Sequence, residues 1–195
     1  MRAKRINVLA FAAFASVAGL SAGCGDLVRQ GKGSYTLVID SLQATSGSTE
    51  ATGSTLQSDV ITDGGFINDS ATATLRLIAK NPTGPSPTDI NSVTVNRYRV
   101  TFRRTDGRST PGVDVPHPFD SAVTVRIPAG ASTSVDFEFI RHTAKLEAPL
   151  AGLRQSLVII ATIADVSFFG RDQAGNEVTA TGSIGVQFGD FADPE

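Results

Sequence analysis

Apolar and polar residues alternate with a period of two in segment after segment of this chain, and that period constrains it to strands. Ala71, Ala73, Leu75, Leu77 and Ala79 share one parity, with Thr72, Thr74 and Arg76 on the other. Val178, Ala180, Ile184, Val186 and Phe188 repeat the pattern, and Gly182 keeps the register without a side chain. Successive side chains of a pleated strand point to opposite faces, so each segment has one face for a core and one for water. Tyr35–Ile39, Val123–Ile127 and Val135–Phe139 read the same way, and a short strand fits Leu56–Thr62.

Two segments are longer. Ser92–Arg104 changes phase: Val93 and Val95 share one parity, and Tyr98, Val100 and Phe102 the other. A β-bulge near Asn96–Arg97 would return both sets to the core side. Leu157–Phe169 begins apolar on both parities, as expected of a central strand. Between the strands lie breakers, including Asn81-Pro-Thr-Gly-Pro-Ser-Pro87, Pro128-Ala-Gly130 and the hairpin-like Gly170-Arg-Asp-Gln-Ala-Gly-Asn176. Residues 44–56, rich in Ser, Thr, Gly and Ala, read as a loop. Only residues 143–153 have helical spacing, through Leu146, Leu150 and Leu153. Thr143 is placed to cap that helix and Pro149 to limit it. Eight strands joined by turns predict an all-β fold, an antiparallel sandwich with one short helix before the penultimate strand. A jelly roll or a partly open barrel shares the same pattern. The short helix and the tight final hairpin resemble immunoglobulin-type topology, without the Cys and Trp of antibody domains.

The first 23 residues follow a different logic. Met1-Arg-Ala-Lys-Arg5 is positive, Ile6–Leu20 is mostly apolar, and Ser21-Ala22-Gly23 is small. This is the order of a secretory signal peptide, and its apolar run of about 15 residues is shorter than the roughly 20 that span a bilayer. The chain's one cysteine, Cys24, follows at once. Leu20-Ser-Ala-Gly-Cys24 resembles the lipobox of bacterial lipoproteins, with Ser21 in place of the usual Leu. The resemblance implies that Cys24 is lipidated after removal of residues 1–23, that residues 24–33 tether the chain, and that residues 34–195 form one domain. It also implies a bacterial envelope location held by the lipid anchor. Gly25 after the cysteine implies outer-membrane sorting.

Removing residues 1–23 takes away Arg2, Lys4 and Arg5, leaving fourteen basic and nineteen acidic side chains, a net charge of −5. That balance argues against nucleic acid as a partner. The chain has no Trp, which argues against a sugar-stacking module. Beyond residue 23 there is no Gly-x-Ser-x-Gly, and His117 and His142 are the only histidines available as a base, so no catalytic set is assigned. Two distant histidines do not make a zinc site. Asp172, Asn176 and Glu177 gather at one hairpin, but turn chemistry explains them and their spacing is not a calcium loop. The sequence therefore predicts neither a cofactor nor a metal.

Two surfaces remain as candidates for partner binding. Arg97, Arg99 and Arg103 share one face of the long strand, and arginines hold carboxylates or phosphates through paired hydrogen bonds. Either they dock an envelope protein or anionic envelope component, or they pair with acids on neighbouring strands. The loop Gly112-Val-Asp-Val-Pro-His-Pro-Phe119 either presents Val115 and Phe119 to a partner or folds them back to plug the sandwich. The function expected is a non-catalytic binding or structural module. A small-ligand or calcium module and, last, a hydrolase are the alternatives.

Overall fold

The structure, a computed structural model, describes residues 32–191. Its strands are β1 (Tyr35–Thr45), β2 (Thr52–Gly53), β3 (Thr55–Asp59), β4 (Asp69–Ala79), β5 (Ser92–Arg104), β6 (Phe119–Pro128), β7 (Ser132–Ile140), β8 (Ile160–Asp172) and β9 (Glu177–Gly189). One sheet has the order β2-β1-β4-β7 and the other β3-β9-β8-β5-β6. They pack face to face as an immunoglobulin-like β-sandwich.

All pairs are antiparallel except one. β3 runs parallel to β9, from Thr55 opposite Gly185 to Asp59 opposite Gly189. The chain therefore leaves the first sheet after β2, crosses to the second as β3, and returns as β4. This divides the predicted loop at 44–56 between β1, β2 and the start of β3. Gly182 lies where β1 passes close to β9: a Cβ there would be 3.0 Å from Ile39 Cδ1.

The bulge in β5 falls where the phase change predicts it, with the register shifting between Val95 and Arg97 on both neighbours. Val93, Val95, Tyr98, Val100 and Phe102 are consequently all buried. Gly170 faces the bulge from β8, and a Cβ there would lie 2.5 Å from the Thr94 carbonyl oxygen, so no other residue fits.

Tyr98 anchors the core. Its ring centroid is 4.9 Å from that of Phe137 on the opposite sheet, and Phe168 meets Phe137 edge-on at 5.3 Å. The Tyr98 hydroxyl donates to the Glu138 carbonyl oxygen at 2.8 Å, which ties β5 to β7 across the sandwich. Burial pushes the Tyr98 pKa up.

The register puts the starts of β1, β5, β7 and β9 and the ends of β4, β6 and β8 at one pole, where the described chain begins. Long connections gather at the other, far pole. There α1 (His142–Lys145) and a 3₁₀ turn (Leu150–Leu153) precede β8. Arg141, not Thr143, takes the N-cap position without a side-chain cap, and the Asn68 side chain accepts from the His142 backbone N–H at 2.6 Å instead. Leu150 and Leu153 enter the core but Leu146 is exposed. Residues 143–153 are thus two short turns with Pro149 between them. β8 starts at Ile160, so Leu157–Ile159, predicted as the start of that strand, lie before it and in solvent. No helix of the described residues is long and apolar enough to cross a membrane.

The far pole contains a buried ion pair. Lys145 Nζ is 3.0 Å from Asp69 Oδ2, with side chains 2% and 0% exposed. Asp69 also accepts from Ser58 Oγ at 2.6 Å and the Gly47 N–H at 2.8 Å, and Lys145 donates to the Ile67 carbonyl at 2.6 Å. Removing one partner strands the other's charge in the interior. Asp69→Ala and Lys145→Met should each cost about 3–5 kcal/mol in urea denaturation.

A second prediction concerns alkali. The Tyr98 pKa is higher folded than unfolded, so the fold favours the protonated hydroxyl. The stability this gives is intact below the unfolded value, about 10, and is lost as pH rises through the folded one. The melting temperature should fall as the pH rises above about 10 in the wild type, and less steeply in Tyr98→Phe.

Candidate functional site

The outer face of the five-stranded sheet is where the polar parity of β5, β6, β8 and β9 collects its charge. Arg97, Arg99 and Arg103 of β5, Arg126 of β6 and Arg171 of β8 all point outward. Asp120, Asp165 and Glu177 share the face with them.

The arginines pair with acids on neighbouring strands, one of the two readings of the sequence. Arg97 Nη1 donates to Asp120 Oδ1, and its guanidinium lies 3.9 Å above the Phe169 ring. Arg99 is 3.7 Å from the other oxygen of the same Asp120. Arg103 donates to Asp165 at 3.2 Å, and Asp165 also accepts from Ser183 Oγ at 2.5 Å. Arg171 pairs with Glu177 at 3.2 Å. Arg126 donates to Ser92 Oγ at 3.0 Å and to the Asp89 carbonyl oxygen at 2.8 Å. Exposed ion pairs contribute little to stability, typically below about 1 kcal/mol. What they do is hold guanidinium groups in fixed positions. Arg97, Arg99 and Arg103 remain 46%, 48% and 49% exposed while so held, which keeps their unused N–H groups available to solvent.

The bulge shapes the surface beside them. Gly170 contributes no side chain and Asn96 bends the strand, so a shallow groove of about 470 Å³ opens between Arg97 and Phe169 on one side and Arg171, Glu177 and Thr179 on the other. The sequence predicted the row of arginines but not Phe169 or Arg171 as its companions. Both become neighbours of Arg97 only through the β5–β8 register.

At the second candidate surface, the fold-back reading of the loop is the one the structure shows. Val115 is 1% exposed and belongs to the core, because the Thr110 carbonyl and the Gly112 N–H draw its backbone inward. Phe119 is half-buried, edge-on to Tyr98 at 6.1 Å and beneath the Arg141 guanidinium at 3.8 Å. Both pack against the sandwich, and the loop closes the far pole. At its start, the Arg108 side chain bonds Asp106 and lowers its pKa to about 2.

The remaining polar residues are occupied locally. His117 packs over Gly112, where a Cβ would lie 2.6 Å from its ring. His142 Nδ1 lies 2.9 Å from Asn68 Oδ1. Asp172 accepts from the Ala174 N–H, the Asn176 N–H and Asn176 Nδ2, the internal bonds of a hairpin turn. A hollow of about 380 Å³ near this hairpin is lined by Lys32, Tyr35, Leu77, Ile90 and Asn176, among others. Among the described residues no three His, Cys, Asp or Glu side chains are grouped to hold a metal. Cys24 lies outside the described residues.

No known family matches the chain, and no curated protein does. One solved structure is similar in outline, the X-ray structure of Northeast Structural Genomics Consortium target SoR45. The match has 8% identity and a TM-score of 0.37, and covers 83% of this chain and 92% of that one.

Val115→Ser removes a buried apolar side chain and should cost about 2 kcal/mol in urea denaturation. Val113→Ser, two residues away and 68% exposed, should stay within about 0.5 kcal/mol of the wild type.

Proposed function

We propose that this chain is a lipid-anchored protein of the bacterial cell envelope, whose β-sandwich is a non-catalytic binding or structural module docking through its arginine face. The observation that carries the docking surface is the Arg97–Phe169–Asp120 arrangement, in which a guanidinium is stacked and bonded yet about half exposed. A side chain already ordered loses little entropy on contact with a partner. Arginine is suited to the task because its planar fork meets carboxylates and phosphates with two parallel bonds. The anchor rests on the Leu20–Cys24 motif alone, and outer-membrane placement on Gly25.

Two variants separate the parts of this reading. Full-length protein should sediment with membranes after a carbonate wash, and Cys24→Ser, made with the same leader, should be released. Retention of Cys24→Ser in the pellet overturns the lipid anchor. Arg97→Glu with Arg99→Glu should leave sedimentation unchanged and remove the products of cross-linking in intact cells. An unaltered cross-linking pattern overturns the docking face.

A further inference from the structure

The two outer faces of the sandwich carry opposite charge. The strands of the five-stranded face expose Arg97, Arg99, Arg103, Arg126 and Arg171 against Asp120, Asp165 and Glu177, a balance of +2. The strands of the four-stranded face expose Asp40, Asp136 and Glu138 against Arg76, a balance of −2, of which Arg141, just beyond β7, meets one charge at Glu138, 3.3 Å away. The rest of that second face is hydroxyl-rich, with Thr36, Ser41, Ser70, Thr72, Thr74 and Ser134 pointing outward. Within it, Asp40 is committed to Arg76 through two bonds of 2.8 Å, which hold its carboxyl below the ordinary value. Asp136 accepts from a neutral hydroxyl, Thr72 Oγ1, at 2.5 Å. On the first face, Arg99 shares an aspartate with Arg97, and Arg126 is bonded to a hydroxyl and a carbonyl. Each face therefore holds charge that its own opposite charges do not fully meet.

We infer that the arginine face of one copy docks the hydroxyl- and carboxylate-rich face of a second copy. This rests on the reading of the arginine face as a docking surface and names its partner. The contact joins two different patches, so it is heterologous and leaves one face of each sign open at the ends of a pair. A further copy can add at either end, giving a row. The strands of both sheets run from pole to pole, so a row in which copies are related by translation keeps every N-terminal pole on the same side. That arrangement suits copies anchored in one membrane, where confinement raises the effective concentration for a contact that is weak in bulk solution.

The test uses full-length protein in its own membranes, with cysteines introduced on the two faces and the unaltered chain as the control for Cys24. Copies carrying Thr101→Cys, mixed with copies carrying Ser134→Cys, should give a disulfide-linked dimer on mild oxidation. Thr101→Cys copies alone should give little. High salt should reduce the mixed product, because exposed charges are screened. Adding Arg97→Glu and Arg99→Glu to the first copy should reduce it about five-fold, as should Asp136→Arg in the second. Combining the two altered copies should restore it, since the faces are again opposite in sign. The strand signal by circular dichroism is to be unchanged in every variant. Equal product from all pairings overturns the inference, because it reports random collision. Absence of the mixed product, with another protein cross-linked through Arg97 and Arg99, also overturns it while leaving the docking face standing. Failure of every cross-link at that face overturns both readings.

Discussion

The ion pair of Lys145 with Asp69 is the interaction on which the geometry of the far pole depends. It lies where the two sheets, the crossing strand and the helical turn meet. Asp69 begins β4 in one sheet, Ser58 belongs to β3 in the other, and Lys145 ends α1. The Gly47 amide and the Ile67 carbonyl bring two connections to the same point. Burying two charges is expensive, and here the expense is offset because each charge also has neutral hydrogen-bond partners. An apolar cluster of equal volume would fill this space as well. It would not fix which connection passes where, since dispersion contacts have no direction.

The arginine face inherits its form from the other end of that order. β8 is central in its sheet, and its register with β5 sets Phe169 opposite Arg97 and Ser167 opposite Arg99. A shift of one residue would send Phe169 into the core and Phe168 out of it. The bulge at Asn96 prevents such a slip, because only Gly170 tolerates the Thr94 carbonyl at that place. The surface chemistry thus follows from a backbone irregularity several residues away.

Much of this was legible in the sequence, and the omissions have physical reasons. Alternation located most of the long strands, because a half-buried strand needs one apolar face. The phase change in Ser92–Arg104 located the bulge, because no straight strand can bury both Val95 and Tyr98. The parallel pairing of β3 was not legible, since Leu56 is the lone apolar side chain within it and parity says nothing of direction. Leu157–Ile159 reads as buried strand because its composition is that of one, and its exposure follows only from where β8 begins to pair. Val115 was ambiguous for the opposite reason: a single apolar residue among prolines has no period to assign it a side. The arginines were identified on the right face, but Asp120 and Asp165 as their partners required the register.

The direction of β1 has a mechanical consequence. A pull transmitted through residues 32–34 acts along the axis of β1, away from the far pole. The ten residue pairs joining β1 to β4 are then strained in parallel rather than one after another. A ladder loaded in shear yields only when many bonds fail together, whereas one peeled from its end fails bond by bond. A domain tugged from this terminus resists as a whole sheet.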